Sequence, residues 1–256
     1  TVRLILNNAS ISNTTTAPIK VLDAKKVILT LADNTTNTIT DSSRLSTEED
    51  YSAAIYSKED LIINGNGTLN VNAGYRNGIK STDDCIIVSG TLNITSTEDG
   101  IIGKDLCGIV AGDININAGS DGIKSTYDTD TTKGNVIIEG GNITIKASND
   151  GIQAENILVI NDGTINIKTN NGAADTTQTH TDNMYMGRGG FGFNNNKTTT
   201  TTDDTSESRK GIKAGNMLII NDGDITIDSD DDSVHCNSEI YIYGGTINAA
   251  TGDDGV

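Results

Sequence analysis

The chain has 256 residues and a formal net charge of -17, from 35 acidic against 18 basic side chains. With no basic stripe, nucleic acid and anionic lipid are excluded as direct partners. Hydrophobic residues make up only 34% and aromatics 4%, with 28 Gly and a single Pro, which argues against long amphipathic helices and for many short strands joined by tight turns.

The opening segment TVRLILNN has neither the basic start nor the apolar stretch of a signal peptide, as expected of a secreted protein in mature form. No later apolar run is long enough to span a membrane. Loose copies of a short strand fall around Ile19 and Ile55, and residues 33–50 read as an irregular excursion. A repeat then takes over in GTLNVNAGYRNGIKSTDD (67–84), GTLNITSTEDGIIGKD (90–105) and GDININAGSDGIKSTYD (112–128). Each copy has a Gly turn, an alternating strand, a polar turn and a short G-I strand.

Aligning the remainder on that frame gives three apolar columns. The first runs Leu69, Leu92, Ile114, Ile143, Ile165, Ile225 and Ile247; the second, two residues on, runs Val71, Ile94, Ile116, Ile145, Ile167, Ile227 and Ala249. Residues two apart on a strand share a face, so both columns point inward. The short-strand column is Ile79, Ile101, Ile123, Ile152, Ile212, Val234 and Val256, spaced 22, 22, 29, 60, 22 and 22 residues.

This register predicts an all-β, single-stranded right-handed parallel β-helix forming one domain over 1–256, with three strands and three turns per rung. No rung buries its apolar face alone. About nine rungs at the strand spacing of ~4.8 Å make a rod roughly 40 Å long. The two long spacings predict insertions: STYDTDTTKGN (125–135), and a long surface insertion near 172–209 that includes TDNMYMGRGGFGFNNNKTTTTTDDTSES (181–208). A sandwich or propeller does not explain a fixed 22-residue register, and the G-G-x-G-x-D spacing of a calcium β-roll is absent.

Stacking turns sequence columns into spatial rows. Before the Gly of the short strand stand Asn77, Asp99, Asp121, Asp150, Asp232 and Asp254, joined by Glu98, Asp230, Asp231 and Asp253. After the short strand come Glu59 and Asp60, Asp83 and Asp84, then Asp105 and Asp128. Carboxylates ~4.8 Å apart repel by roughly 1 kcal/mol in water and about 3.5 kcal/mol at an effective dielectric of 20. Each row therefore needs protons, lysines, backbone N–H groups or a shared cation, for which calcium with its six to eight oxygen ligands is suited. A single Asp before Gly is equally a turn residue bonding its own backbone. The doubled and tripled acids exceed what a turn needs, so the predicted calcium ligands are drawn from Asp83, Asp84, Glu98, Asp99, Asp105, Asp121, Asp150, Asp230, Asp231, Asp232, Asp253 and Asp254.

Lys80, Lys124 and Lys213 follow the inward Ile and point outward, with His235 in the same column. Beside calcium they are candidates to hold a uronate carboxylate, or to supply the base of a β-elimination; their ordinary role is to neutralise neighbouring acids. Tyr127 and Tyr185, in the insertions, are candidates for stacking on sugar rings. Cys85 and Cys107 are expected to stack as packed thiols in adjacent rungs, and three cysteines make neither a disulfide framework nor a zinc site. No Ser–His–Asp or Cys–His grouping is visible.

The rungs DGIKS, DGIQAEN and KGIKAGN, the segment GRGGFGF and the closing GDDGV resemble a family of secreted clostridial carbohydrate-binding proteins, over residues 61–256. The resemblance implies a pectate-lyase-like β-helix with bound calcium that binds cellulose or polygalacturonate without established catalysis, its calcium ligands flanking the GIK, GII and GIQ strands. The lysine column matches the calcium-plus-base arrangement of pectate lyases only loosely, and an arginine-based signature is absent. The expected function is calcium-dependent binding of acidic plant-cell-wall polysaccharide or cellulose by an extracellular or cell-surface monomer. The alternatives are a calcium-dependent pectate lyase with a lysine base, and an adhesive rod that calcium only stiffens.

Overall fold

The computed structural model describes residues 1–42, 51–173 and 208–256. Its 26 strands, β1 to β26 in chain order, form three parallel sheets of nine, nine and eight strands, in which each strand pairs with the one three places on. The described residues form a parallel β-helix of nine rungs, and no α-helix occurs among them. The first sheet runs from β1 (Val2–Leu6) to β25 (Glu239–Ile242), and the second from β2 (Ser10–Asn13) to β26 (Thr246–Thr251). The third sheet runs from β3 (Ile19–Val21) to β24 (Val234–Cys236).

The apolar columns stand in direct register. Leu69, Leu92 and Ile114 are lateral partners, as are Val71, Ile94 and Ile116. The short-strand column extends back through Ile55 to Ile19, as the looser copies predicted. These side chains form one continuous core, almost wholly buried apart from Ile19, which is partly buried against it. Each fully buried Ile or Leu contributes about 1.5–3 kcal/mol relative to exposure. Cys85 and Cys107 are paired in register, fully buried and reduced.

Two expectations are corrected. The excursion at 33–50 contains a regular strand, β5 (Thr36–Asp41), paired along its length with β8 (Thr68–Ala73). Its Thr-Asn-Thr-Ile-Thr-Asp sequence hides the period because only Ile39 is apolar; Asn37 takes a second inward position and its amide donates to Thr68 O. Val256 does not extend the third sheet as a strand, although Val234 N–H still donates to Gly255 O. Residues 125–134 form an irregular connection between β15 (Ile123–Lys124) and β16 (Asn135–Ile138), as the longer spacing required. Most of the insertion near 172–209, with GRGGFGF and Tyr185, lies outside the described residues. Register is kept across it, with Ile152 opposite Ile212.

One glycine column fixes how closely the rungs approach. A Cβ on Gly100 would lie 2.5 Å from Gly122 O and 2.5 Å from Ile116 Cγ2, and Gly122 meets the next rung in the same way. Real Cβ atoms do not approach so near, so these positions are closed to any side chain unless the backbone moves.

Candidate functional site

The acidic column before the short strand is a hydrogen-bonded ladder. Asp99 N–H donates to Asn77 Oδ1 at 3.0 Å, Asp121 N–H to Asp99 Oδ1 at 3.0 Å, and Asp150 N–H to Asp121 Oδ1 at 2.9 Å. Lys210 N–H then donates to Asp150 Oδ1, and Asp254 N–H to Asp232 Oδ1. The second oxygens meet cations: Lys124 lies 2.6 Å from Asp121, and Lys213 lies 3.3 Å from Asp150. Burial pushes the Asp121 carboxyl above its ordinary range, against the pull of Lys124. Asp99, Asp121 and Asp150 thus stack as neighbours, each with a backbone N–H on one oxygen, and with a lysine on the other oxygen of Asp121 and Asp150. Glu98 stands to one side, 3.7 Å from Arg76.

A different arrangement occupies the corner between the third and first sheets. Asp60 begins β7 (Asp60–Gly65), Asp83 closes the preceding turn of the next rung, and Asp84 begins β10 (Asp84–Ile87). One carboxylate oxygen from each lies within 4.8 Å of the other two. Asp105, one rung further, hydrogen-bonds Asp83 and pairs with Lys133, which reaches back from the 125–134 connection. Burial, the Asp105 hydrogen bond and the Asp60 charge push the Asp83 carboxyl up to about 6. Burial and the charges of Asp60 and Asp105 also raise Asp84. Lys26 is 3.6 Å from Asp60. Negative charge here exceeds what the two lysines neutralise.

A second group, Asp231, Asp232 and Asp253, lies at the corner before the short strand in the last rungs, again within 4.8 Å. Lys210 Nζ reaches Asp231 at 2.9 Å and Asp232 at 2.7 Å. Burial alone would lower the Lys210 ammonium, but hydrogen bonds to Asp232 and Asp231 outweigh it and hold the value up. Asp230, wholly buried, turns away to Arg209 and Asn170. Both trios are all-oxygen donor sets, the ligand chemistry that suits a hard divalent cation such as calcium.

The outward row of the third sheet reads Tyr56, Lys80, Ile102, Lys124, Gln153, Lys213 and His235. Lys80 Nζ lies 3.1 Å from Ser52 Oγ, and burial lowers its ammonium below the ordinary range. His235 is held between Asp232 and Asn237. Tyr127 sits against the ammonium groups of Lys104 and Lys133, at 4.9 and 4.8 Å. Sequence reading named Asp60 among the acids but not as a ligand, and it missed Lys210, Arg209 and Lys133. Lys210 had a readable signal: it stands at the ladder position that Asp150 and Asp232 occupy in neighbouring rungs.

The stacked rungs and polar corners place the chain among polysaccharide-lyase-like β-helices. A solved polysaccharide lyase-like protein from C. thermocellum, studied as a gadolinium derivative, is similar with a TM-score of 0.67 and 27% identity, covering 95% of this chain and 77% of that one. The chain belongs to the carbohydrate-binding domain-containing protein family, whose model matches residues 1–255. A protein of that description from Acetivibrio thermocellus is 39% identical over 95 residues, which is 36% of this chain and 33% of the relative. The similarity thus spans about a third of that relative's length.

Proposed function

We propose that this carbohydrate-binding protein holds acidic plant-cell-wall polysaccharide outside the cell through calcium at the Asp60–Asp83–Asp84 corner. The observation that carries the reading is the convergence of three carboxylates from two rungs, with Asp83 raised to about 6 by its surroundings. A group in that state gains from a divalent cation. Bound there, calcium supplies open coordination positions for a uronate carboxylate and offsets the local charge that would repel it. Lys80 and Lys124, on the adjoining face, orient further carboxylates along the rod. The Asp231–Asp232–Asp253 group is the second calcium position. Cellulose, being neutral, would bind without the cation.

The test is retention on immobilised polygalacturonate, with calorimetric titration of the chelator-treated protein. Calcium-dependent retention that weakens at least tenfold in Asp84→Asn supports the reading. Retention that survives chelation rejects the bridging mechanism. Calcium stabilisation with no glycan bound would leave the stiffened-rod alternative in its place.

One observation favours a lyase as the second reading. The lowered Lys80 ammonium, close in sequence to Asp83, suits a base that takes the C5 proton of a uronate while the C4–O bond breaks. Calcium-dependent absorbance of unsaturated products, lost in Lys80→Ala, would establish it.

A further inference from the structure

The outer face of the second sheet is built from hydroxyls and amides. Its central outward column runs from Ser10 through Thr38, Asn70, Asn93 and Asn115 to Asn248, and all nine positions are Ser, Thr or Asn. From Ser10 to Thr95 no outward position of this sheet is charged, in a chain of net charge -17. Further along, Lys168 is neutralised by Asp228 at 2.6 Å. We propose that this face is a second carbohydrate site, which takes a neutral, extended polysaccharide lying along the rod without calcium. Such a site rests only on the reading of the chain as a carbohydrate binder, not on the acidic corner, which lies between the third and first sheets.

Asparagine is a poor strand residue, yet it fills five of these nine positions. Ladder bonds account for only half of each amide. Asn93 Nδ2 donates to Asn70 Oδ1 at 2.9 Å, and Asn115 Nδ2 donates to Asn93 Oδ1 at 3.1 Å. An amide has two donors and two lone pairs, so Asn93 keeps one N–H and one lone pair for a ligand. A sugar hydroxyl both donates and accepts, which matches that pair. The ladder also holds the amides in one orientation, which lowers the ordering cost of binding. Rungs recur every ~4.8 Å, close to one pyranose unit of an extended chain, so successive hydroxyls meet successive amides. A charged polymer finds no counter-charge along this stretch.

The relief of the face suits a ring with apolar faces and a hydroxyl rim. A groove of about 230 Å³ is lined by Asn93, Thr95, Asn115 and Asn117, with Ile94 and Ile116 between them. The C–H groups of a pyranose rest on the isoleucines while its hydroxyls reach the amides. At the edge of the same face a polar cleft of about 330 Å³ opens beside Asn142, Thr164 and Asp224. Gly163 and Gly223 leave the backbone bare there, and Asp162 and Asp222 offer carboxylate oxygens, which are strong acceptors for hydroxyls.

Depletion from solution by insoluble cellulose and by insoluble mannan, both in chelator, is the test, with polygalacturonate in calcium as a separate arm. The wild-type protein should be retained on at least one neutral glycan, with an affinity that calcium does not change. Asn93→Ala and Asn115→Ala together should weaken that retention by at least about tenfold, as expected for two lost hydrogen-bonding groups, and leave the polygalacturonate arm as it was. Threonine at both positions, matching Thr38 and Thr144, should restore it, and melting curves verify that every variant folds. A wild-type protein that binds neither glycan in chelator overturns the site, as does retention that needs calcium or that survives the alanine pair. So does failure of the threonine pair to restore binding. A wild type that sediments at twice the chain mass of 26.8 kDa, with the alanine pair at the single mass, gives the face to a second copy and overturns the site as well. Loss of the polygalacturonate arm alone falls on the calcium reading and leaves this site standing.

Discussion

Replacing Asp121 by Ala removes two acceptors at once. Its Oδ1 accepts Asp150 N–H at 2.9 Å and its Oδ2 accepts Lys124 Nζ at 2.6 Å, with Asp121 itself 3% exposed. Leaving the Asp150 amide without an acceptor costs about 1–3 kcal/mol. The half-buried Lys124 ammonium, deprived of its partner, adds about 1 kcal/mol. Asp121→Ala is therefore expected to lose about 2–4 kcal/mol. Asp121→Asn keeps an Oδ1 acceptor for Asp150 N–H and loses the Lys124 pair, for about 1 kcal/mol. Asn77 already fills this ladder position two rungs earlier, with Oδ1 accepting Asp99 N–H. Urea unfolding of both variants in chelator measures the difference, and amide exchange at Asp150 localises it. Equal losses in the two variants, or a loss under about 1 kcal/mol in Asp121→Ala, would refute the view that the ladder is held by backbone N–H groups rather than by metal.

Three further outcomes follow. Asp83 has a folded-state value near 6 against an ordinary 3.8, so it binds more protons folded than unfolded between those values. Its contribution to stability is full below pH 3.8 and is lost as pH rises through about 6. In chelator, Asp83→Asn should abolish that fall in melting temperature; an unchanged fall would place the proton elsewhere. Gly100→Ala should cost more than about 3 kcal/mol, because its Cβ meets a carbonyl at 2.5 Å; a melt within error of wild type would show that the rungs separate easily. Lys210→Met removes the cation between Asp231 and Asp232. It should lower the melting temperature in chelator and enlarge the rise that calcium produces, whereas an unchanged calcium response would remove those carboxylates from the list of cation ligands.

The stacking of the rungs was legible in the sequence because the columns that begin at Leu69, Val71 and Ile79 are filled almost without exception by Ile, Leu or Val, about 22 residues apart wherever no insertion intervenes. Leu92 and Ile114 needed no further information to be placed side by side. β5 was not legible, since Asn37 serves as a core residue only because Thr68 O and Thr35 Oγ1 satisfy its amide. The acidic rows were legible as rows but not in their allegiances. Asp121 and Asp84 look alike in sequence, yet one is satisfied by a backbone N–H and a lysine while the other faces two further carboxylates. What separates them is which way each corner turns, and where a distant lysine such as Lys133 or Lys210 returns. Residue spacing carries no record of either.

Asn161 and Asn221 are 60 residues apart and still bond side chain to side chain, so the rod closes over the intervening segment without a break. Relative to a 22-residue rung, closing that longer excursion costs only about 1 kcal/mol of chain entropy. The corner after Thr169 is anchored on both banks, with Asp228 gripping Lys168 and Ala173 N–H, and Thr169 Oγ1 donating to Arg209 O. Such a corner is a natural grafting point. Foreign sequence of almost any length should be accepted there with little thermal penalty, which makes the rod a scaffold for displaying peptides.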